Sequence, residues 1–320
     1  MRFKAKLSVD QVQVLKSVIG PISKLLDVHQ QTTKAVMCLD PDTISLSTKG
    51  GDDVVSCVEL DAASLFLDRR IESAAEGNAI VMQVDLHAMK TALDSVPTST
   101  RHSHKARASS VMLQPVVVLK LAKRNGLPCL CLDLSGNIDV HHSIPVRIMR
   151  LEEWNSYWGP PQINDPTVTL QLTNGPPLRG VVDKLRSMGA YVYLQGSMTG
   201  KLTVRLDQDG ASVACFYHQL VPAPNQEEED TTTSQQPQQC TLKVDAQKLF
   251  TCLQWQQQSS SSYHSGHHFH PQDPDPLQAT LAMVPQEMLV LHIRLAGSVG
   301  FITYYIPVLF IAEEEEQGFL

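Results

Sequence analysis

The sequence lacks the motifs of the common nucleotide and zinc enzymes. It contains no G-x-x-x-x-G-K-[ST], no G-x-G-x-x-G after a predicted strand and no H-E-x-x-H. Each motif supplies either backbone donors for phosphate groups or a pair of imidazole ligands for zinc. Their absence excludes a phosphate-binding loop, a dinucleotide site of the usual form and a helical zinc site.

Signals for disulfides and membrane insertion are also missing. The seven cysteines, an odd number, form no C-x-x-C pair, which argues against a disulfide framework and for a reducing compartment. The opening MRFKAKLSVD has no apolar core of signal-peptide length, and the longest apolar stretch, about residues 300–312, is too short to span a bilayer. We therefore expect a soluble, intracellular protein.

Charge is unevenly distributed. The net charge of −7 comes from 33 acidic against 26 basic residues. Eight of the acids lie in two runs, Glu227–Asp230 and Glu313–Glu316, and without them 25 acids face 26 bases. The rest of the chain is thus near neutral and can still carry a local site for a polyanion.

The length of 320 residues predicts two domains at roughly 150 residues each. In the first half, Phe3, Ala5 and Leu7 alternate as in a strand, and residues 9–27 have helical spacing, which we expect Gly20-Pro21 to kink or divide. Further strands follow. A second helix starts after Asp85, and three strands close this half.

The second half repeats this order. Val84-Asp85 and Val244-Asp245 lie 160 positions apart, and Ile144-Pro145-Val146 and Ile306-Pro307-Val308 lie 162 apart. Two pairs of matching segments, separated by nearly the same number of positions, indicate a duplicated unit. Each unit offers two amphipathic helices to cover one face of an antiparallel sheet, and its terminal strands could be sheet edges open to a neighbouring chain.

The expected domain boundaries follow from composition. Residues 1–149 form the first domain, and residues 167–311 form the second, with polar inserts at 222–239 and 258–276. Residues 150–166, rich in Trp, Pro and Asn, are expected to be an irregular connector, and 312–320 an acidic tail.

Every predicted helix carries at least one base on its outward face. Helices that lie on one side of the molecule could contact phosphates without reading sequence. Asp94 and Asp183 lie on the same helices, and Asp183 could pair locally with Arg179 and Arg186. The candidate DNA-facing residues are Lys16, Lys24, Lys90, Arg179, Lys184, Arg186 and Lys248.

A resemblance to a known family extends over most of the chain. The opening RFKAK, the block LPCLCLDLSGNIDVHHSIPVRIMRLEEW, the run from INDPTVTLQL to ACFYHQL and the terminal TYYIPVL resemble the Hus-type subunit of the heterotrimeric checkpoint sliding clamp. This nine-one-one clamp is a relative of the processivity clamp PCNA. The basic loop 101–107, the two inserts and the acidic tail depart from the family pattern.

The resemblance implies an α+β fold of two repeated sliding-clamp domains, with antiparallel sheets and with two helices each lining the inner face of a ring. It implies a non-enzymatic subunit without a cofactor or metal, which encircles duplex DNA without sequence specificity and acts in DNA damage checkpoint signalling and DNA repair in the nucleus. The implied partners are two other clamp-like subunits, a clamp loader, and checkpoint and repair factors.

By family analogy, two strands would form the subunit interfaces: the last strand of the first domain and the fourth strand of the second. The candidate interface residues are Ile138, Val140, His142, Ile144, Val146, Ala211, Val213, Cys215 and Tyr217. Trp154, Tyr157 and Trp158 in the connector could form an exposed aromatic docking patch or could anchor the connector to the sheet.

Four alternative interpretations are weighed against this one. A self-associating homotrimeric processivity clamp would have the same fold. The four histidines of SYHSGHHFHP, residues 262–271, could bind a metal in an enzyme, although a polar loop is favoured. A catalytic use of His141 and His142 with Ser143 as nucleophile, and with Asp139 close by, is disfavoured because adjacent strand residues point to opposite faces. For Cys129 and Cys131, core packing is favoured over metal binding.

Overall fold

The computed structural model describes residues 1–27, 34–48, 53–97, 116–135, 139–157, 159–172, 177–208, 210–223, 238–256 and 278–310. The chain forms two compact units. Unit 1 comprises Met1–Lys49 and Cys57–Gly159, and unit 2 comprises Gly50–Ser56 and Pro160–Leu320. The basic loop 101–107, nearly all of the insert 222–239, the histidine-rich insert 258–276 and the acidic tail lie outside the described residues.

Unit 1 is built on one run of antiparallel strands in the order β4-β3-β2-β6-β9-β8-β7-β1-β5. Its helices are α1 (Val9–Asp27), α2 (Ala62–Leu65), α3 (Leu86–Asp94) and α4 (Leu151–Tyr157). Its strands are β1 (Arg2–Leu7), β2 (Lys34–Leu39), β3 (Thr43–Thr48), β4 (Val55–Asp61, which begins in the Gly50–Ser56 segment), β5 (Asp68–Glu72), β6 (Ile80–Asp85), β7 (Val116–Arg124), β8 (Leu127–Ser135) and β9 (Val140–Met149).

Unit 2 contains a strand run in the order β14-β10-β16-β17-β18 and a separate four-stranded sheet in the order β13-β12-β11-β15. Its helices are α5 (Leu178–Arg186) and α6 (Ala246–Cys252). Its strands are β10 (Val168–Gln171), β11 (Tyr191–Ser197), β12 (Lys201–Gln208), β13 (Ala211–Tyr217), β14 (Val221–Pro222), β15 (Gln239–Asp245), β16 (Gln278–Val284), β17 (Met288–Arg294) and β18 (Gly300–Pro307).

Alternation of side chains along the strands builds the core. In β12, Leu202, Val204 and Leu206 are at most 1% exposed, whereas the residues between them face the other side of the sheet. The two sheets of unit 2 approach each other at Gly196, where an added Cβ would lie 2.5 Å from the Met283 sulfur. This position therefore requires glycine for packing rather than for a turn.

The structure corrects several expectations about the elements. Helix α1 runs undivided through Pro21. Proline removes one backbone N–H donor from the helix, and burial of the apolar stripe of α1 compensates for the lost hydrogen bond. Strand β1 is not a sheet edge, because β5, which has no clear periodic pattern, pairs with it from Lys6↔Asp68 to Arg2↔Glu72. The connector is not irregular throughout, since it begins with α4.

Candidate nucleic-acid interface

Each unit presents one pair of packed helices. Helix α1 packs against α3, and α5 packs against α6. Their buried faces include Val12, Ile22 and Met89 in unit 1, and Val182 and Leu249 in unit 2. Because these stripes face the sheets, the bases predicted to contact DNA lie on the remaining helix surface.

The bases of unit 1 are engaged within the fold. The Lys16 ammonium donates a hydrogen bond to the Val96 carbonyl at 2.9 Å, and burial lowers the pKa of Lys16 below its usual value despite the nearby Asp94 carboxylate. Lys90 forms an ion pair with Asp94 at 2.6 Å, one helical turn further along α3. Lys24 is exposed in the last turn of α1.

The bases of unit 2 converge on an aromatic ring that was not predicted from the sequence. The guanidinium carbons of Arg179 and Arg186 lie 4.6 and 4.0 Å from the centroid of the Phe250 ring on α6. Such distances are those of cation–π contacts. Arg179 and Arg186 lie seven residues apart on α5, so they share one face of that helix.

Four further hydrogen bonds hold this group of side chains. Arg186 donates to Asp183 at 2.6 and 2.9 Å and to the Gln247 side-chain oxygen at 3.0 Å. The backbone N–H of Arg179, in the first turn of α5, donates to the Gln256 side-chain oxygen at 2.7 Å. The local pairing considered for Asp183 is thus present with Arg186.

The remaining bases of unit 2 differ in their contacts. The Lys248 ammonium pairs with the Asp53 carboxylate at 2.7 Å, and its side chain is 18% exposed. Lys184 is exposed. All seven predicted bases therefore lie on the four helices, but at least three of them are held by an acid of this chain.

The predicted interface strand β9 is paired along both of its halves. Residues Val140–Pro145 pair with β8, and Val146–Met149 pair with β6. The predicted interface residues Val140, His142 and Ile144 thus lie in the half that pairs with β8, and Val146 lies where the pairing with β6 begins. Val140 and His142 are half-buried, Ile144 and Val146 are buried, and Ile138 lies outside the described residues.

The second predicted interface strand, β13, ends the four-stranded sheet, and its neighbour in the described strand order is β12. Ala211, Val213, Cys215 and Tyr217 share the face of Leu202 and Leu206, since Leu202 pairs with Tyr217. Burial raises the pKa of Tyr217 to about 12. Its hydroxyl is buried and has no hydrogen-bond partner within the described residues.

The opposite face of β13 carries an aromatic side chain that was not predicted to lie at an interface. Phe216 is 65% exposed. The only sequence signal for Phe216 is the alternation of side chains along a strand: when Tyr217 points to one face of β13, Phe216 points to the other.

The connector does not offer Trp154 for docking. Trp154 is 6% exposed and packs with Val36, Val81 and Met149, because α4 lies against β2 and β6. Of the two readings of this tryptophan, anchoring to the sheet is the correct one. The side chains of Tyr157 and Trp158 lie outside the described residues.

No group of three or more potential metal ligands occurs in the described part of the chain. Cys129 and Cys131 are buried free thiols, as are four other cysteines, and Cys215 is half-buried. No described helix is long and apolar enough to cross a membrane. The four clustered histidines lie outside the described residues.

One ionic cluster on the strands of unit 1 was also not predicted. Lys120 on β7 and His141 on β9 both contact the Asp133 carboxylate on β8, the latter at 3.0 Å. Burial alone would raise the pKa of Asp133, but the hydrogen bonds from Lys120 and His141 outweigh burial and hold this pKa below its usual value.

Two repeated units, each with antiparallel strands and a packed helix pair, are the architecture of the sliding-clamp fold. The structure matches a solved chain titled "C-terminal region of FEN-1 bound to A. fulgidus PCNA", with a TM-score of 0.62 and 10% identity over 97% of this chain and 100% of that chain. The likeness establishes the PCNA-like fold.

The sequence narrows this class to one family. The family model described as Hus1-like protein matches residues 1–309, and the chain belongs to that family. It is also similar to "Checkpoint protein HUS1" of Homo sapiens, with 21% identity over 206 residues, which cover 62% of this chain and 68% of that protein. The chain is a checkpoint clamp subunit, and the homotrimeric processivity clamp is not favoured.

Proposed function

We propose that this chain is one of three unlike subunits of a ring that encircles duplex DNA in the nucleus and recruits checkpoint and repair factors after DNA damage. The observation that carries the proposal is the repeated helix-backed unit in a chain that matches the Hus1-like family along residues 1–309. The proposed subunit is loaded by a clamp loader and performs no catalysis itself.

Holding DNA by enclosure needs only weak contacts. Bases on α1, α3, α5 and α6 would meet phosphates, and such contacts carry no sequence information. Salt screens them and lets the ring slide, while closure of the ring prevents escape. The proposed DNA-facing residues are Lys16, Lys24, Lys90, Arg179, Lys184, Arg186 and Lys248.

Ring closure would use strand addition. The outer edge of β13 presents backbone N–H and C=O groups that a strand of a neighbouring subunit could pair with. The first half of β9, Val140–Pro145, has β8 as its partner among the described pairings and is the proposed second contact. Contacts through two different strands are head-to-tail contacts, which generate a ring when the rotation between subunits closes.

A topological test separates enclosure from ordinary binding. The ring assembled with its two partner subunits is loaded on closed circular duplex DNA, washed with high salt and then treated with an enzyme that cuts the circle once. The proposal expects retention on the circle and release after the cut, because a ring slides off a free end. Equal loss from circular and cut DNA would contradict it.

A further inference from the structure

The helix pairs of the two units differ in charge. Helices α1 and α3 contain Lys16, Lys24 and Lys90 against Asp10, Asp27 and Asp94, three bases against three acids. Helices α5 and α6 contain Arg179, Lys184, Arg186 and Lys248 against Asp183 alone, four bases against one acid. Even when the Asp53 partner of Lys248 is counted, the second pair keeps a net charge of +2.

The two helix pairs also differ in how their bases are held. In unit 1, Lys16 donates to a backbone carbonyl and Lys90 pairs with Asp94. In unit 2, no ion pair or side-chain hydrogen bond of Arg179 occurs within the described residues, and its Nε is buried without a hydrogen-bond partner. The terminal N–H groups of this guanidinium also have no acceptor within the described residues, so an anion that reached them would not have to displace one.

The Phe250 ring holds both Arg179 and Arg186 in place, although only Arg186 forms an ion pair with an acid among the described residues. A ring under the flat face of a guanidinium leaves the N–H groups at its edge free to point away from the ring. These edge donors match the geometry of phosphate oxygens. Stacking also reduces the side-chain entropy that a long arginine would lose on binding.

We propose that α5 and α6 carry most of the phosphate contact of this chain, with Arg179 as the principal contact and Phe250 as the positioning residue for Arg179 and Arg186. This inference rests on the proposed function, since the phosphates are those of the enclosed duplex. It differs from an even distribution of contacts over all four helices.

The test measures affinity of the assembled three-subunit ring for a fluorescent duplex over a series of salt concentrations. Arg179→Ala is expected to weaken binding about three- to tenfold and to reduce the slope of log affinity against log salt by about 0.9. The double variant Lys16→Ala/Lys90→Ala is expected to weaken binding less than Arg179→Ala does, because both ammonium groups already have partners.

A second set of variants isolates Phe250 without changing any charge. Phe250→Leu is expected to weaken binding as Arg179→Ala does, and Phe250→Tyr, which keeps a ring, is expected to restore affinity. The matched control is Arg205→Ala. Arg205 stacks on Tyr193 at 5.8 Å and pairs with Asp207, but it alternates with buried Val204 and Leu206 and so lies on the outer sheet face.

The outcomes are separable. If the unaltered ring fails to bind the duplex, the proposed function fails. If the ring binds but Arg179→Ala and Phe250→Leu bind as the parent does, or if Lys16→Ala/Lys90→Ala costs as much as Arg179→Ala, this inference fails and the proposed function stands. Thermal unfolding of each variant shows whether it folds. If Phe250→Leu does not fold, the comparison of the DNA affinities of Arg179→Ala and Arg205→Ala decides whether the inference holds.

Discussion

Asp85 and Asp245, 160 positions apart in the sequence, cap the corresponding helix of each unit. The Asp85 carboxylate accepts hydrogen bonds from the N–H groups of His87 and Ala88, and that of Asp245 accepts one from Lys248 at 2.9 Å. Both residues have extended backbone angles. Six residues further on, Thr91 and Thr251 each donate a hydroxyl to the carbonyl four residues earlier. The duplication is thus preserved at the level of single hydrogen bonds.

Removing either cap should cost a similar amount of stability. Asp85→Ala and Asp245→Ala are each expected to lower the free energy of unfolding by about 1 kcal/mol, because first-turn N–H groups lose their acceptor. Asp85→Asn and Asp245→Asn should recover most of the loss, since Asn also caps. Urea unfolding checks this, and two alanine variants as stable as the parent would show that the caps contribute nothing.

Trp154 should behave as a core residue. Trp154→Ala is expected to lower the free energy of unfolding by about 3 to 5 kcal/mol, because a large buried side chain leaves a cavity. Trp154→Phe should cost less. Chemical denaturation followed by circular dichroism measures both, and a stable Trp154→Ala variant that loses only partner binding would instead support an exposed docking role.

Apolar periodicity predicted the helices and most strands of the repeated units, but it did not predict β5 and α4. Helices α1, α3, α5 and α6 and most strands follow from apolar spacing, and Asp85 and Asp245 from capping chemistry. Strand β5, with the sequence DRRIE, was not predicted because an exposed edge strand needs little apolar alternation. Helix α4 was not predicted because its Trp154 is buried by contacts distant in sequence.

The candidate site was predictable only in part for the same reason. The outward bases of α5 follow from helical spacing, but the stacking of Arg179 and Arg186 on Phe250 depends on how α5 and α6 pack. Sequence spacing relates residues within one helix and cannot place a residue of a second helix 71 positions beyond Arg179. On β13, the candidate interface residues were likewise placed on the strand face of Tyr217, so Phe216 on the opposite face was not predicted.

Asp133 should make stability depend on acidic pH. Its folded pKa lies below the unfolded value, so its contribution is present above about pH 4 and is lost as pH falls through the folded pKa. Asp133→Asn should therefore be about 1 to 3 kcal/mol less stable than the parent near pH 7, and the gap should narrow between about pH 5 and pH 2.

The matched control for this prediction is Asp68→Asn. Asp68 pairs with Lys6 at 3.3 Å, but the side chains are 67% and 46% exposed, so its loss should cost less than about 0.5 kcal/mol at any pH. Urea midpoints measured at several pH values supply the comparison. A gap for Asp133→Asn that does not change with pH would refute the assignment of the effect to its carboxylate.

Phe216 should contribute to ring assembly. Phe216→Ala is expected to weaken binding to the neighbouring subunit by about 2 kcal/mol, roughly thirtyfold, because exposed aromatic side chains are common interface anchors. Tyr191→Ala is the control, since Tyr191 is 46% exposed on the same sheet but on β11. Titration of purified subunits measures both affinities, and an equal effect of the two substitutions would argue against β13 as the contact.

The central claim is that this chain completes a ring only with two unlike subunits. Native mass spectrometry of the chain alone and mixed with two purified clamp-like partners tests it most directly. We predict a monomer of 35.4 kDa for the chain alone and a complex with one copy of each subunit for the mixture. A stable homotrimer of this chain, with no complex formed in the mixture, would contradict it.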